Sequence, residues 1–197
     1  SGCVADAITL SVIRRLNLID AVTAVCGQIC TPQSTLDLFA RRALESKSNV
    51  GKKMGFLSWR DGQLVLQDIT EEMLATTAEE NEAERNWAFA NIAVAAAVPK
   101  RDFSGDTRKI IDRVGRVSCD PGVAADGARM VLLSEDMGYR AWAAETFKIS
   151  TVWLQPVLIV ARREGRLCAE RYFEAINSLA IGGHTYLSLD SDSLMFQ

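Results

Sequence analysis

Apolar and polar positions divide this chain into short buried runs and amphipathic stretches. Residues 130–133, Met-Val-Leu-Leu, form an uninterrupted apolar run that predicts a buried strand. The run stops at Ser134, Glu135 and Asp136, after which Tyr139, Trp142, Ala143 and Phe147 recur at helical spacing on one face. Cys3-Val4-Ala5 is a similar run ending in Asp6, followed by apolar positions from Ile8 to Val22 that Asn17 breaks into two helices. Gln28-Ile29-Cys30 reads as a second strand. Thr31-Pro32 then reads as a helix start, Thr as N-cap and Pro at the first helical position, with Leu36, Phe39, Ala40, Ala43 and Leu44 facing inward.

Phe56-Leu57-Ser58-Trp59 and Leu64-Val65-Leu66 flank an Asp61-Gly62 step, the strongest short hairpin signal in the chain. Thr70 opens a helical region expected to run, with or without a break, to Ala97, with an acidic, solvated first half and a small, apolar half from Trp87 to Val98 that should pack inside. Residues 104–115 read as a charged helix, 151–163 and 167–180 as two more helices, and 185–189 as a last strand. Asp120-Pro121-Gly122 looks like a poor helix interior. This order predicts an α/β protein, a three-layer α/β/α sandwich with a mostly parallel central sheet carrying an inserted hairpin and helices. One domain over residues 1–197, with the insertion at about 50–115, fits the length.

Composition narrows the partners. A hydrophobic fraction of 48% and a charged fraction of 24% are ordinary for a globular protein. A net charge of −3 gives no global basic field, so a nucleic acid would be held by local patches. Arg41-Arg42, Lys47, Lys52-Lys53, Lys100-Arg101, Arg108-Lys109 and Arg162-Arg163 offer such patches, and Trp59 on the hairpin offers a stacking surface; a solvated charged surface is the plainer reading of each. Five scattered cysteines argue against a disulfide framework and for thiols in a reducing cytoplasm. No apolar run reaches the roughly 20 residues of a membrane span, and no basic n-region marks a signal peptide. Ser1-Gly2, leading at once into a strand, reads as an expression scar on an excised domain, implying partner domains upstream.

A single histidine, His184, restricts the chemistry. It stands in Gly182-Gly183-His184 without a nucleophile elbow, and zinc lacks suitably spaced ligands. Neither a dinucleotide fingerprint nor a phosphate-binding loop is present, which leaves a Rossmann-like small-molecule binder as a distant third reading. Carboxylates remain: Asp6 ends the first strand, Asp37 lies early in a helix, Asp120 opens an apolar segment and Asp136 follows the strand at 130–133. Asp6 and Asp136 emerge at one sheet edge if their strands are parallel neighbours. Oxygen-only clusters suit Mg²⁺ or Mn²⁺ and metal-assisted phosphodiester hydrolysis. Structural duties compete with this, since Asp136 is also a good helix cap and Asp37 lies one turn before Arg41.

The ordered set resembles a PIN domain, a compact α/β/α metal-dependent nuclease fold. The resemblance rests on Val4-Ala5-Asp6 before an apolar helix, on 31–38 with Asp37, and on Asp120 with Val123-Ala124-Ala125 followed by Val131 to Asp136, Tyr139 and Ala143. The family usually carries Glu where Asp37 stands. The tail, with Trp153-Leu154-Gln155 and Gly183-His184-Thr185-Tyr186, is similar to PIN-like domains attached to larger multidomain bacterial proteins. The resemblance implies a cytoplasmic endoribonuclease that binds Mg²⁺ or Mn²⁺ through Asp6, Asp120 and Asp136, with Asp37 or Glu135 assisting and Ser134 bonded to a carboxylate. RNA would be contacted by Arg41, Lys52, Lys53 and Arg101. The alternative is a catalytically degenerate PIN-like module serving protein interaction or regulation within a larger protein.

Overall fold

The computed structural model describes residues 2–60, 62–100, 102–184 and 187. The chain divides into two compact units, one of Ser1–Thr35 with Ile92–Gln197 and one of Leu36–Asn91.

The larger unit is built on a five-stranded parallel sheet. Its strands are β1 (Gly2–Ala5), β2 (Gln28–Thr31), β5 (Ala93–Val94), β6 (Val131–Leu133) and β7 (Thr151–Val152), in the order β5-β2-β1-β6-β7. Helices flank it, giving the expected sandwich: α1 (Ala7–Arg15), α2 (Ile19–Cys26), α5 (Gly105–Val114), α6 (Arg116–Ala128), α7 (Met137–Phe147), α8 (Leu154–Arg163) and α9 (Ala169–Ile181). The central strands are short and apolar because both faces are covered. Val4, Cys30 and Leu132 pack on one face with Val123, Ala124, Ala143 and Phe147 of α6 and α7. Cys3 points the other way, its thiol in hydrogen-bond contact with Cys26 of α2. Asn17 adopts a left-handed φ of 51° between α1 and α2, the expected break.

The second unit holds α3 (Gln33–Asn49) from Leu36 onward, the antiparallel hairpin β3 (Met54–Arg60) and β4 (Gln63–Ile69), and α4 (Glu71–Asn91). Gly62, with φ 78°, supplies the left-handed turn residue of the hairpin. Leu57 pairs with Leu66 and Trp59 with Leu64, and all four side chains are exposed.

Several expectations are corrected. The helical region after Thr70 stops at Asn91, and Ala93–Val94 joins the sheet as β5; Phe89, Val94 and Val98 are exposed rather than packed inside. Small apolar residues carry no helix-or-strand periodicity, so the switch is invisible locally. Thr31 does not cap α3: it ends β2 and its hydroxyl donates to the Ala5 carbonyl at 2.8 Å. The segment 151–163 begins as an edge strand, β7, before α8, and α9 starts at Ala169.

Asp120-Pro121-Gly122 lies inside α6 after all. The Gly122 N–H donates to the Tyr139 hydroxyl at 2.8 Å, a tertiary bond beside the irregularity that Pro121 introduces. A Cβ at Gly122 would stand 2.8 Å from the Phe147 ring, which explains a glycine where the helices meet. The strand expected at 185–189 lies outside the described residues except for Leu187. Among the described residues, no helix is long and apolar enough to cross a membrane.

Candidate functional site

The site begins with strand register. β1 and β6 are parallel neighbours, and Ala5 pairs with Leu133. The next residues, Asp6 and Ser134, therefore leave the sheet side by side at its carboxyl edge, where α/β folds place their chemistry. Asp6 is the N-cap of α1, its Oδ1 accepting from the Thr9 N–H at 2.8 Å. Asp136 repeats the arrangement on α7, accepting from the Tyr139 N–H at 2.9 Å. The buried Ser134 hydroxyl hydrogen-bonds the Asp6 carboxylate and accepts from the Asp136 N–H at 3.2 Å. Thr9, also buried, accepts from the Glu135 N–H at 3.0 Å. The two caps thus form one bonded corner.

Their electrostatics differ. Asp6 is only 8% exposed, while Asp136 is exposed. Burial raises the Asp6 pKa above the ordinary carboxylate value; hydrogen bonds from Ser134 and Thr9 pull it down, and the Asp136 charge adds to the rise. Both line a cleft of about 410 Å³ with Ile8 and with Tyr139 and Trp142 of α7, closed by apolar residues of α5 and α6. None of the residues lining this cleft is Lys, Arg or His.

Asp120 stands close by but is turned elsewhere. It accepts from the Ser34 hydroxyl at 2.6 Å and lines a separate hollow with Arg108 and Arg116. The Tyr139 hydroxyl donates to the Cys119 carbonyl at 3.2 Å, and its pKa is raised chiefly by burial, then by the charges of Asp6, Cys119 and Asp120. Glu135 has both oxygens engaged, one accepting from the Leu154 N–H at 2.7 Å and the other 3.0 Å from His184 Nδ1. Asp37, Arg41, Lys52 and Lys53 are exposed and belong to the second unit. Arg101 lies outside the described residues.

The structure brings together Asp6, Ser134 and Asp136, while Asp120 is held by Ser34 and does not line their cleft. Among the described residues, no group of three or more His, Cys, Asp or Glu is disposed to hold a metal ion. Two carboxylates still fit a hard cation that keeps most of its waters, as Mg²⁺ does. The adjacent negative charges, one of them buried, and the absence of a cationic side chain in their cleft are the observations behind that fit. Thr9, Ser34 and Arg140 escaped the sequence reading. Asp6-x-x-Thr9 was a detectable capping spacing, whereas nothing local marked the other two.

A parallel α/β sandwich with aspartates at the ends of its two adjacent central strands defines a protein of the PIN-like class. Residues 4–145 match the family described as the PIN domain associated with the TPR-GreAB-C-PIN system, and the chain belongs to that family. This makes it a nuclease-like domain tied to a multidomain system. No curated protein and no solved structure matches it.

Proposed function

We propose that this chain hydrolyses RNA phosphodiester bonds with Mg²⁺ or Mn²⁺ held by Asp6 and Asp136, Asp120 serving as the third acid. One observation carries the reading: adjacent parallel strands deliver two carboxylates to a single cleft that has no cationic side chain in its lining. When bound, the ion supplies charge neutralisation at the phosphate and lowers the pKa of an attacking water. The chain's own residues do the positioning. Ser134 and Thr9 orient the Asp6 carboxylate, the α7 N-terminus holds Asp136, and Trp142 and Ile8 form the apolar wall that limits water. Arg41, Lys52 and Lys53 are exposed cations suited to phosphate contact. Within its system the domain would act beside the TPR and GreAB-C segments that the family description names.

The test pairs Mn²⁺-linked thermal shift with cleavage of single-stranded RNA. The unsubstituted chain should show both, because an ion that binds only the native state raises its stability. Asp6→Asn should lose both and remain folded, since Asn can still cap α1. Retained cleavage in a clean preparation of that variant would refute the assignment. A second reading, a degenerate interaction or regulatory module, is favoured by the structural partners that already engage Asp120 and Glu135. Absence of any Mn²⁺-linked shift at millimolar metal would select it.

A further inference from the structure

A second hollow, of about 360 Å³, shares Asp136 and Gly138 with the acidic cleft and, unlike it, has cationic side chains beside its carboxylates. Arg140, Trp153 and His184 line it, together with Met137 at the N-terminus of the eleven-residue helix α7. Arg140 is the notable member. It is 8% exposed, its Nη1 donates to the Ser134 carbonyl at 2.6 Å, and its guanidinium lies 5.0 Å from the centre of the Trp153 ring. Among the described residues it makes no ion pair.

A buried guanidinium without a carboxylate is costly, because its charge is desolvated and only part of its five-donor fork is used. Stacking on Trp153 and one carbonyl offset part of that cost. Neither supplies a counter-charge. The two carboxylates lining the hollow are otherwise occupied. Glu135 is bonded to Leu154 and His184, and Asp136 caps α7. His184 is fixed through Nδ1 by Glu135, and the first N–H groups of a helix add to the attraction for an anion.

We propose that this hollow is a phosphate subsite anchored by Arg140, which holds a phosphate of the same RNA strand whose scissile bond lies at Asp6 and Asp136. The identity of the strand rests on the proposed function; the anion site itself does not. Phosphate fits because the guanidinium fork matches its oxygens and because the hollow adjoins the cleft through Asp136. Its volume lies within the roughly 300–1,000 Å³ of ligand clefts, room for a phosphate with its sugar.

The experiment titrates the full chain in EDTA with a short single-stranded oligouridylate and, separately, with inorganic phosphate. Arg140→Gln and Arg140→Lys are compared with the unsubstituted chain. Both should weaken oligonucleotide binding at least about tenfold, the effect of one charge-assisted contact. The Gln variant should also lower the salt slope by about one. Titration in EDTA removes metal-dependent binding, which separates the subsite from the metal cleft. If Arg140→Gln does not fold, Arg140→Lys and His184→Gln carry the test, since each leaves the α7 cap intact.

Parental affinity in folded Arg140 variants would overturn the proposal, as would parental affinity in both substitute variants. Inorganic phosphate binding as tightly as the oligonucleotide would overturn its assignment to a strand. Arg140-dependent oligonucleotide binding without metal-dependent cleavage would support the subsite while refuting the nuclease.

Discussion

Two hollows meet at Asp136, and they differ in the side chains that stand beside its carboxylate. The one shared with Asp6 is walled by Ile8, Tyr139 and Trp142 and holds carboxylates without a cation. The one shared with Arg140 holds a buried guanidinium and the only histidine of the chain. The same eleven-residue helix builds both, because Asp136, Tyr139 and Arg140 leave successive sides of its first turns. A single helix end thereby separates a place suited to a cation from one suited to an anion. The proposed nuclease would use that separation, with an ion at the scissile phosphate and positive charge at a neighbouring one.

The largest expected effect falls on the acidic side. Asp6→Asn should lower metal-dependent cleavage by at least about 100-fold, more than loss of a partner behind a ligand costs. Without metal the same substitution should stabilise. The Asp6 pKa is raised on folding by burial, so its favourable contribution is complete below the unfolded value of about 3.9 and is lost as pH rises through the folded value. At neutral pH in EDTA, Asp6→Asn should therefore melt above the parent, with the difference shrinking as pH falls through that window. An unchanged Tm across the window would show that the corner does not hold a strained carboxylate.

Tyr139→Phe comes next. It removes the acceptor of the Gly122 N–H and should cost about 1–3 kcal/mol, read as a fall in Tm. A neutral result would mean that α6 tolerates Pro121 unaided. Asp136 separates its two duties: Asp136→Ala should lose Mn²⁺ binding and about 1 kcal/mol of capping, and Asp136→Asn only the former. Equal melting of the two in EDTA would show that the cap contributes nothing. Glu135→Gln should have the smallest effect, loosening His184 for about 1 kcal/mol while the Mn²⁺-linked shift persists. Loss of that shift would move Glu135 from the basic hollow to the acidic one.

Much of this corner was legible in the residues. Val4-Ala5-Asp6 and Val131-Leu132-Leu133-Ser134-Glu135-Asp136 each show an apolar run ending in a capping acid, a local signal that requires no partner. The hairpin turn at Gly62 and the break at Asn17 are equally local, since both residues adopt left-handed backbone that few residues favour. Glu135 was illegible. Adjacent to Asp136, it was expected to assist the acids, yet its carboxylate reaches the start of α8 and His184. Arg140 was illegible for the opposite reason, since a charge on an amphipathic helix reads as surface until packing buries it.

By itself the sequence determined the kinds of element, most of their order, and the acids that end the first and sixth strands, because periodicity and capping act over a few residues. Only the tertiary structure decided that β1 lies beside β6, so that Asp6 and Asp136 share a cleft. It also decided that α6 runs through Pro121 with help from Tyr139, and that Ser34 rather than the cleft takes Asp120. Strand neighbours and side-chain partners distant along the chain are chosen by packing the whole sheet and its helices at once, and no short window of residues contains that choice.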